Sequence, residues 1–133
     1  MNTDFIKIFV IISFLVVIID FIWIMLVMKP KYSILINNIQ KSPLSIRVVP
    51  VILSYITIIL PIIIFVLPNI KNTTRLQDSI IYGGLMGFFM YGMFSFTNYS
   101  LLDKWDINVV IFDVIWGIIL YTIVSYISSF LLF

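Results

Sequence analysis

The chain has 133 residues, 62% of them apolar and 11% charged, with a formal net charge of +2. A water-soluble domain uses about 25% charged residues to cover its surface, which eight basic and six acidic side chains cannot do here. Cysteine and histidine are absent, which excludes disulfides, thiol and imidazole catalysis and the usual zinc sites, and so small a positive charge gives no basis for a nucleic-acid partner.

Met1 to Lys7 is a short polar start. An apolar run over residues 8–28 follows, interrupted only by Asp20. It matches the roughly 20 residues needed to cross a hydrocarbon core of about 30 Å. It is too long for a signal-peptide core and lacks a small-x-small cleavage site, so it reads as an uncleaved span. Residues 29–47 carry Lys29, Lys31, Lys41 and Arg47 with Pro30 and Pro43. The apolar stripe Tyr32, Ile34, Leu35, Ile36 and Ile39 between them fits either a helical turn or two at the interface or a loop.

Residues 48–70 make the second span, with Pro50 near its start and Pro68 at its end. Pro61, inside the run, removes a backbone hydrogen bond and predicts a kink. Residues 71–78 are the expected second loop. The third span, 79–102, is uncharged and contains Gly83 and Gly87 at the G-x-x-x-G spacing that lets a neighbouring backbone approach. Asp103, Lys104 and Asp106 form a tight third loop around Trp105, an expected interfacial aromatic. The last apolar run, Ile107 to Phe133, gives a span over about 107–131. Transmembrane β-strands alternate polar and apolar residues over about 9–11 positions; these runs are continuous and twice as long. The fold class expected is all-α, a single polytopic membrane domain with four transmembrane helices in a bundle.

With four spans, the first and third loops share one side and carry five basic residues (29, 31, 41, 47 and 104). The other side carries three (7, 71 and 75). The positive-inside rule then puts both termini on the non-cytoplasmic side, where Asn72-Thr73-Thr74 forms a glycosylation sequon.

Two stretches match: Asp20-Phe-Ile-Trp23 and Asp113-Val-Ile-Trp116. Their helices run in opposite directions, so tandem duplication is not the simplest explanation. At 1.5 Å per residue, Asp20 and Asp113 lie roughly 13 Å and 10 Å from the same membrane face. The two indoles are expected to diverge, Trp23 nearer the loops and Trp116 deeper. Tyr91, Ser95 and Asn98, with Thr97 beside them, bring the polar end of the third span to the same depth, and Arg47 could reach inward to a carboxylate. The candidate site is therefore Asp20, Asp113, Asn98, Thr97, Ser95 and Tyr91, supported by Trp23, Trp116, Gly83, Gly87, Gly117 and Arg47.

An intramembrane aspartate costs about 2.5–3.5 kcal/mol even on the gentler insertion scale, so it needs a partner, water or a proton. Two readings stay open. One is a small proton- or cation-linked transport or binding protein. The other is a non-catalytic scaffold or partner subunit whose aspartates are interhelical hydrogen-bonding glue. No catalytic motif is found: a G-x-G-D motif and a metal-binding histidine cluster are both missing, so no enzyme, metal or cofactor is expected. The expected partner is the lipid bilayer, with a homo-oligomer or another membrane protein as open alternatives.

Gly83 to Gly87, Tyr91, Thr97-Asn98, Leu101, Trp105 and Asp113-x-x-Trp116-Gly117 resemble the small membrane proteins of domain of unknown function 2177. The resemblance extends to Asp20-x-x-Trp23 and to Tyr32. It is weak across the second span. Where that family tends to carry an aspartate two residues before the Thr-Asn pair, this chain has Ser95, which implies an altered activity if that aspartate belongs to a working site. No biochemical function is established for the family, so the resemblance implies an architecture and a set of positions.

Overall fold

A computed structural model describes residues 3–131. The outermost residues of the polar start and of the last apolar run (1–2 and 132–133) lie outside them. Four helices are long and apolar enough to cross a membrane: α1 (Asp4–Gln40), α2 (Val48–Asn69), α3 (Asn72–Leu101) and α4 (Ile107–Ser129). The protein is an all-α membrane bundle.

α1 is longer than its apolar run. Its 37 residues extend about 55 Å, so the segment that could have been a loop continues the first span as helix. The helix changes character at Ile24–Met28, a π-helical turn, before resuming as α-helix over Lys29–Gln40. Pro30 explains the change: it has no N–H to return to the Leu26 carbonyl, and the ladder widens over the preceding turn. The helix ends at Lys41, whose left-handed φ of 59° directs its N–H to the Asn37 carbonyl at 2.9 Å.

Pro61 acts similarly in α2. A π-helical turn, Ile62–Val66, follows it directly, and the Tyr121 hydroxyl of α4 donates to the Ile58 carbonyl beside the break at 2.9 Å. Neighbouring helices commonly supply such donors where a proline disturbs a membrane helix.

The expected loop at 71–78 is mostly helix. The Asp78 carboxylate accepts from the Lys71 N–H at 2.9 Å and from the Thr74 hydroxyl at 2.6 Å, so polar side chains satisfy the first turn of α3. Polar composition marked the end of the hydrocarbon run but not the end of the helix. The third loop is a true turn. Asp106 caps α4 by accepting from the Asn108 N–H at 2.8 Å. Trp105 is not a lipid-facing anchor: it is buried with Met28, Leu35, Val109 and Val110, and its ring meets Tyr32 and Phe94 edge-on.

α4 is the centre of the bundle. Half of its apolar window is buried, against 17% for α1 and for α2. Its inner face carries Trp116, Leu120, Tyr121 and Val124 against Ile12 and Val16 of α1 and Ile59, Ile62 and Val66 of α2. The outer surfaces keep large apolar side chains, such as Phe14, Leu26 and Met93, as lipid requires. Lipid is as apolar as these side chains, so association depends on close packing and polar contacts rather than on hydrophobic burial.

The closest approach joins α3 to α4. A methyl group on Gly87 would lie 2.1 Å from the Gly117 carbonyl oxygen, one on Gly83 would lie 2.9 Å from the Tyr121 carbonyl oxygen, and one on Gly117 would lie 2.5 Å from the Tyr91 ring. The G-x-x-x-G pair and Gly117 thus form a backbone-to-backbone seam. Gly87→Ala should destabilise the protein by about 1–3 kcal/mol in a detergent unfolding titration, because backbone cannot yield as a side chain does. Gly92→Ala, where the nearest atom belongs to the Phe96 ring at 3.3 Å, should be neutral or slightly stabilising through helix propensity. Equal losses at both positions would refute the seam.

Candidate functional site

Both aspartates are buried, each with 6% of its surface exposed. The Asp20 carboxylate of α1 accepts hydrogen bonds on its two oxygens: from the Tyr55 hydroxyl of α2 at 2.7 Å on Oδ2, and from the Trp116 indole N–H of α4 at 2.9 Å on Oδ1. The Asp113 carboxylate of α4 accepts on Oδ2 from the Tyr32 hydroxyl of α1 and from the Ser95 hydroxyl of α3 at 3.0 Å. All four donors are neutral, and each carboxylate ties its own helix to two others.

The indoles do not diverge. Trp23 and Trp116 stack with ring centroids 4.5 Å apart and planes 5° from parallel. Helical side chains lean toward the N-terminus of their helix. In α1 that lean carries Trp23 deeper, and in antiparallel α4 it carries Trp116 toward the loops, so rings on backbones at different depths meet. The same lean brings Tyr32 down from beyond the membrane-facing run to Asp113.

Asp20 and Asp113 line one cavity of about 530 Å³, within the range of small-molecule sites of about 300–1,000 Å³. Its polar surface comes from the two carboxylates, Tyr32, Tyr55, Tyr91 and Lys29. Aromatic and aliphatic side chains, among them Trp23, Trp116, Met25 and Met28, make up the rest. Trp23 is half-buried, and its Nε1 is buried without a hydrogen-bond partner. Beside the site, the Lys31 ammonium lies 4.5 Å from the Phe112 ring centre. At the loop end, the side-chain contact with Lys104, reinforced by repulsion of like charge, holds the Lys41 amine below the usual lysine value.

Of the residues proposed from sequence, Asp20, Asp113, Tyr91, Trp23 and Trp116 face this cavity, and Ser95 binds Asp113 from behind. Gly83, Gly87 and Gly117 form the seam that holds α3 against α4. Thr97 and Asn98 do not join. The Thr97 hydroxyl points to the Met93 sulfur at 3.7 Å, and neither side chain hydrogen-bonds a carboxylate. Thr97 follows Ser95 by two residues, which turns it to the opposite side of the helix; Asn98, nearly one turn beyond Ser95, lies closer to the third loop. Arg47 also stays away: it is exposed at the start of α2 and forms no ion pair with either aspartate. Tyr55 was missed, although it is the one tyrosine in the second span. Tyr32 entered only through the family resemblance. Among the described residues no group of three or more histidine, cysteine, aspartate or glutamate side chains could hold a metal ion.

Tyr32 and Ser95 donate to the same oxygen, so their loss should be strongly non-additive. Tyr32→Phe or Ser95→Ala alone leaves one donor and should cost about 1–2 kcal/mol. Together they leave Asp113 without a partner, and the combined loss should exceed the sum by at least about 0.5 kcal/mol in an unfolding double-mutant cycle. Simple additivity would separate the two contacts.

The family described as Predicted membrane protein (DUF2177) matches residues 5–130 of this chain. No curated protein and no solved structure matches it.

Proposed function

The chain belongs to the DUF2177 family of predicted membrane proteins, and within that frame we propose that it binds a cation, the proton included, at Asp20 and Asp113 as part of a binding or transport cycle. The observation that carries this reading is that two buried carboxylates line one cavity and receive only neutral hydrogen-bond donors. Neutral donors lower the cost of an ionised carboxylate without cancelling its charge. In hydrocarbon, two such charges call for a proton or a cation. Lys29 is the one basic residue in the wall.

Protons and other cations then compete for the same oxygens. Cation binding should weaken as pH falls and the carboxylates take up protons, with Lys29, Tyr32, Tyr55 and Tyr91 as the other ionisable groups facing the cavity. Asp20→Asn combined with Asp113→Asn should abolish a pH-dependent binding or flux signal while the protein still inserts and folds. An unchanged pH profile in that variant would defeat the proposal.

The second reading is a non-catalytic membrane component in which the aspartates are interhelical glue. It is favoured by the way each carboxylate joins three helices, bonds worth about 0.6–2 kcal/mol each in membranes. Failure of the double variant to accumulate would favour it, as would a specific membrane-protein partner retained after both substitutions.

We also infer that the termini lie on the non-cytoplasmic side, because basic residues are more numerous on the side of the first and third loops. The chain has no cysteine, so single replacements report topology cleanly. Thr73→Cys should react with an impermeant maleimide on intact cells and Ser42→Cys should be protected; the reverse pattern would invert the topology.

A further inference from the structure

The Asp20–Asp113 cavity has an unusual division of chemistry. Its negative charge is gathered on two carboxylates, whereas the outward-facing parts of its wall, Lys29 apart, are apolar. Phe21 and Met25 of α1 face outward on one side and Ile46 and Val51, from the approach to α2 and its first turn, on the other; all four are exposed. Their apolar character suits contact with lipid. A hydrated inorganic ion would have to shed its water against aliphatic side chains, which offer nothing in return. An ammonium group carried on an apolar chain meets no such barrier, because the chain stays in hydrocarbon while the nitrogen moves to the carboxylates.

The inner wall suits the same ligand. Trp23, Trp116, Tyr32, Tyr55 and Tyr91 line it; the two indoles stack on each other, and aromatic rings attract a cation through the faces left open. Asp113 Oδ2 holds both protein donors to that carboxylate, which leaves Oδ1 for a donor from outside.

We propose that the site takes a lipophilic amine, a protonated nitrogen on a hydrocarbon chain, which enters from the bilayer between α1 and the start of α2. This rests on the cation-binding reading above and narrows it. The nitrogen could belong to an aminophospholipid headgroup or to a free single-chain amine, and the chemistry recognised is the same.

The test uses the purified full chain in maltoside micelles with dodecylamine as the probe, read by tryptophan fluorescence because two of the three indoles line the cavity. A saturable change is expected for the wild type, none for 1-dodecanol, and at least a ten-fold weaker apparent affinity for Asp20→Asn. Val51→Phe, at the exposed edge of the opening and with a side chain that bonds neither carboxylate, should weaken the response similarly; it carries the test if Asp20→Asn does not fold. Competition by phosphatidylethanolamine in mixed micelles would identify the lipid headgroup as the source, and absence of competition would identify the free amine; either result requires the site. Identical isotherms for wild type, both variants and the alcohol would overturn the proposal. If methylamine or potassium gave an Asp20-dependent response and dodecylamine gave none, the lipophilic class would fall while the cation reading stood. If none of these cations, nor a pH step, gave an Asp20-dependent response, both would fall.

Discussion

A carboxylate within the hydrocarbon region must be supplied with hydrogen-bond donors, and its own helix has none to give, because the backbone N–H groups there are already committed to the helical ladder. The donors have to come from other helices. Asp20 draws on α2 and α4, and Asp113 draws on α1 and α3. These four bonds link all four helices through two side chains. They also explain why α1 continues past the membrane-length run: without its extension, Tyr32 would not exist as a donor, and Asp113 would rest on Ser95 alone.

The bundle is held together differently on its two sides. α3 and α4 meet closely along Gly83, Gly87 and Gly117, with backbone against backbone at Gly87 and the Tyr91 ring against Gly117, a contact that leaves no room for a ligand. α1 and the first half of α2 are held mainly by large aliphatic side chains deeper in the bundle, around Ile12, Val16, Ile59 and Ile62, and by the single Tyr55 bond near the loops. The cavity occurs on this second, looser side. Where small residues allow close approach the structure is closed, and where large residues and a proline-modified helix keep it apart the structure is hollow.

Much of this was legible in the amino-acid sequence. Long uncharged runs identified the four spans, since hydrocarbon admits few alternatives to helix. The rarity of charge within those runs singled out Asp20 and Asp113, and glycine spacing identified the seam. What escaped reading depended on direction and partner. Depth along the membrane placed Thr97 and Asn98 with Ser95, but depth alone does not select a partner, and of the three only Ser95 bonds a carboxylate. The same blindness separated the two indoles, whose backbones differ in depth while their side chains lean together. Arg47 was placed near a carboxylate by its position in the chain, yet it remains at the exposed start of α2. Tyr55 carried a signal only as an exception, one phenol in a span whose other hydroxyls, Ser54 and Thr57, bond their own helix.

The π-helical turn at Ile24–Met28 bears on Tyr32 through angular phase. Tyr32 follows Asp20 by twelve residues; at about 100° per residue, a regular helix would set it about 120° around the axis from Asp20. A π-helical turn accommodates one additional residue, and so takes back about 100°. The two side chains come onto nearly the same face, and both line the cavity. In terms of descent, such a turn is equivalent to a one-residue insertion that the helix has absorbed. Its removal by a one-residue deletion would leave α1 a more regular helix with Tyr32 still on the Asp20 face, whereas regularising the turn with every residue kept would carry the Tyr32 hydroxyl about 100° round, away from the carboxylate it serves.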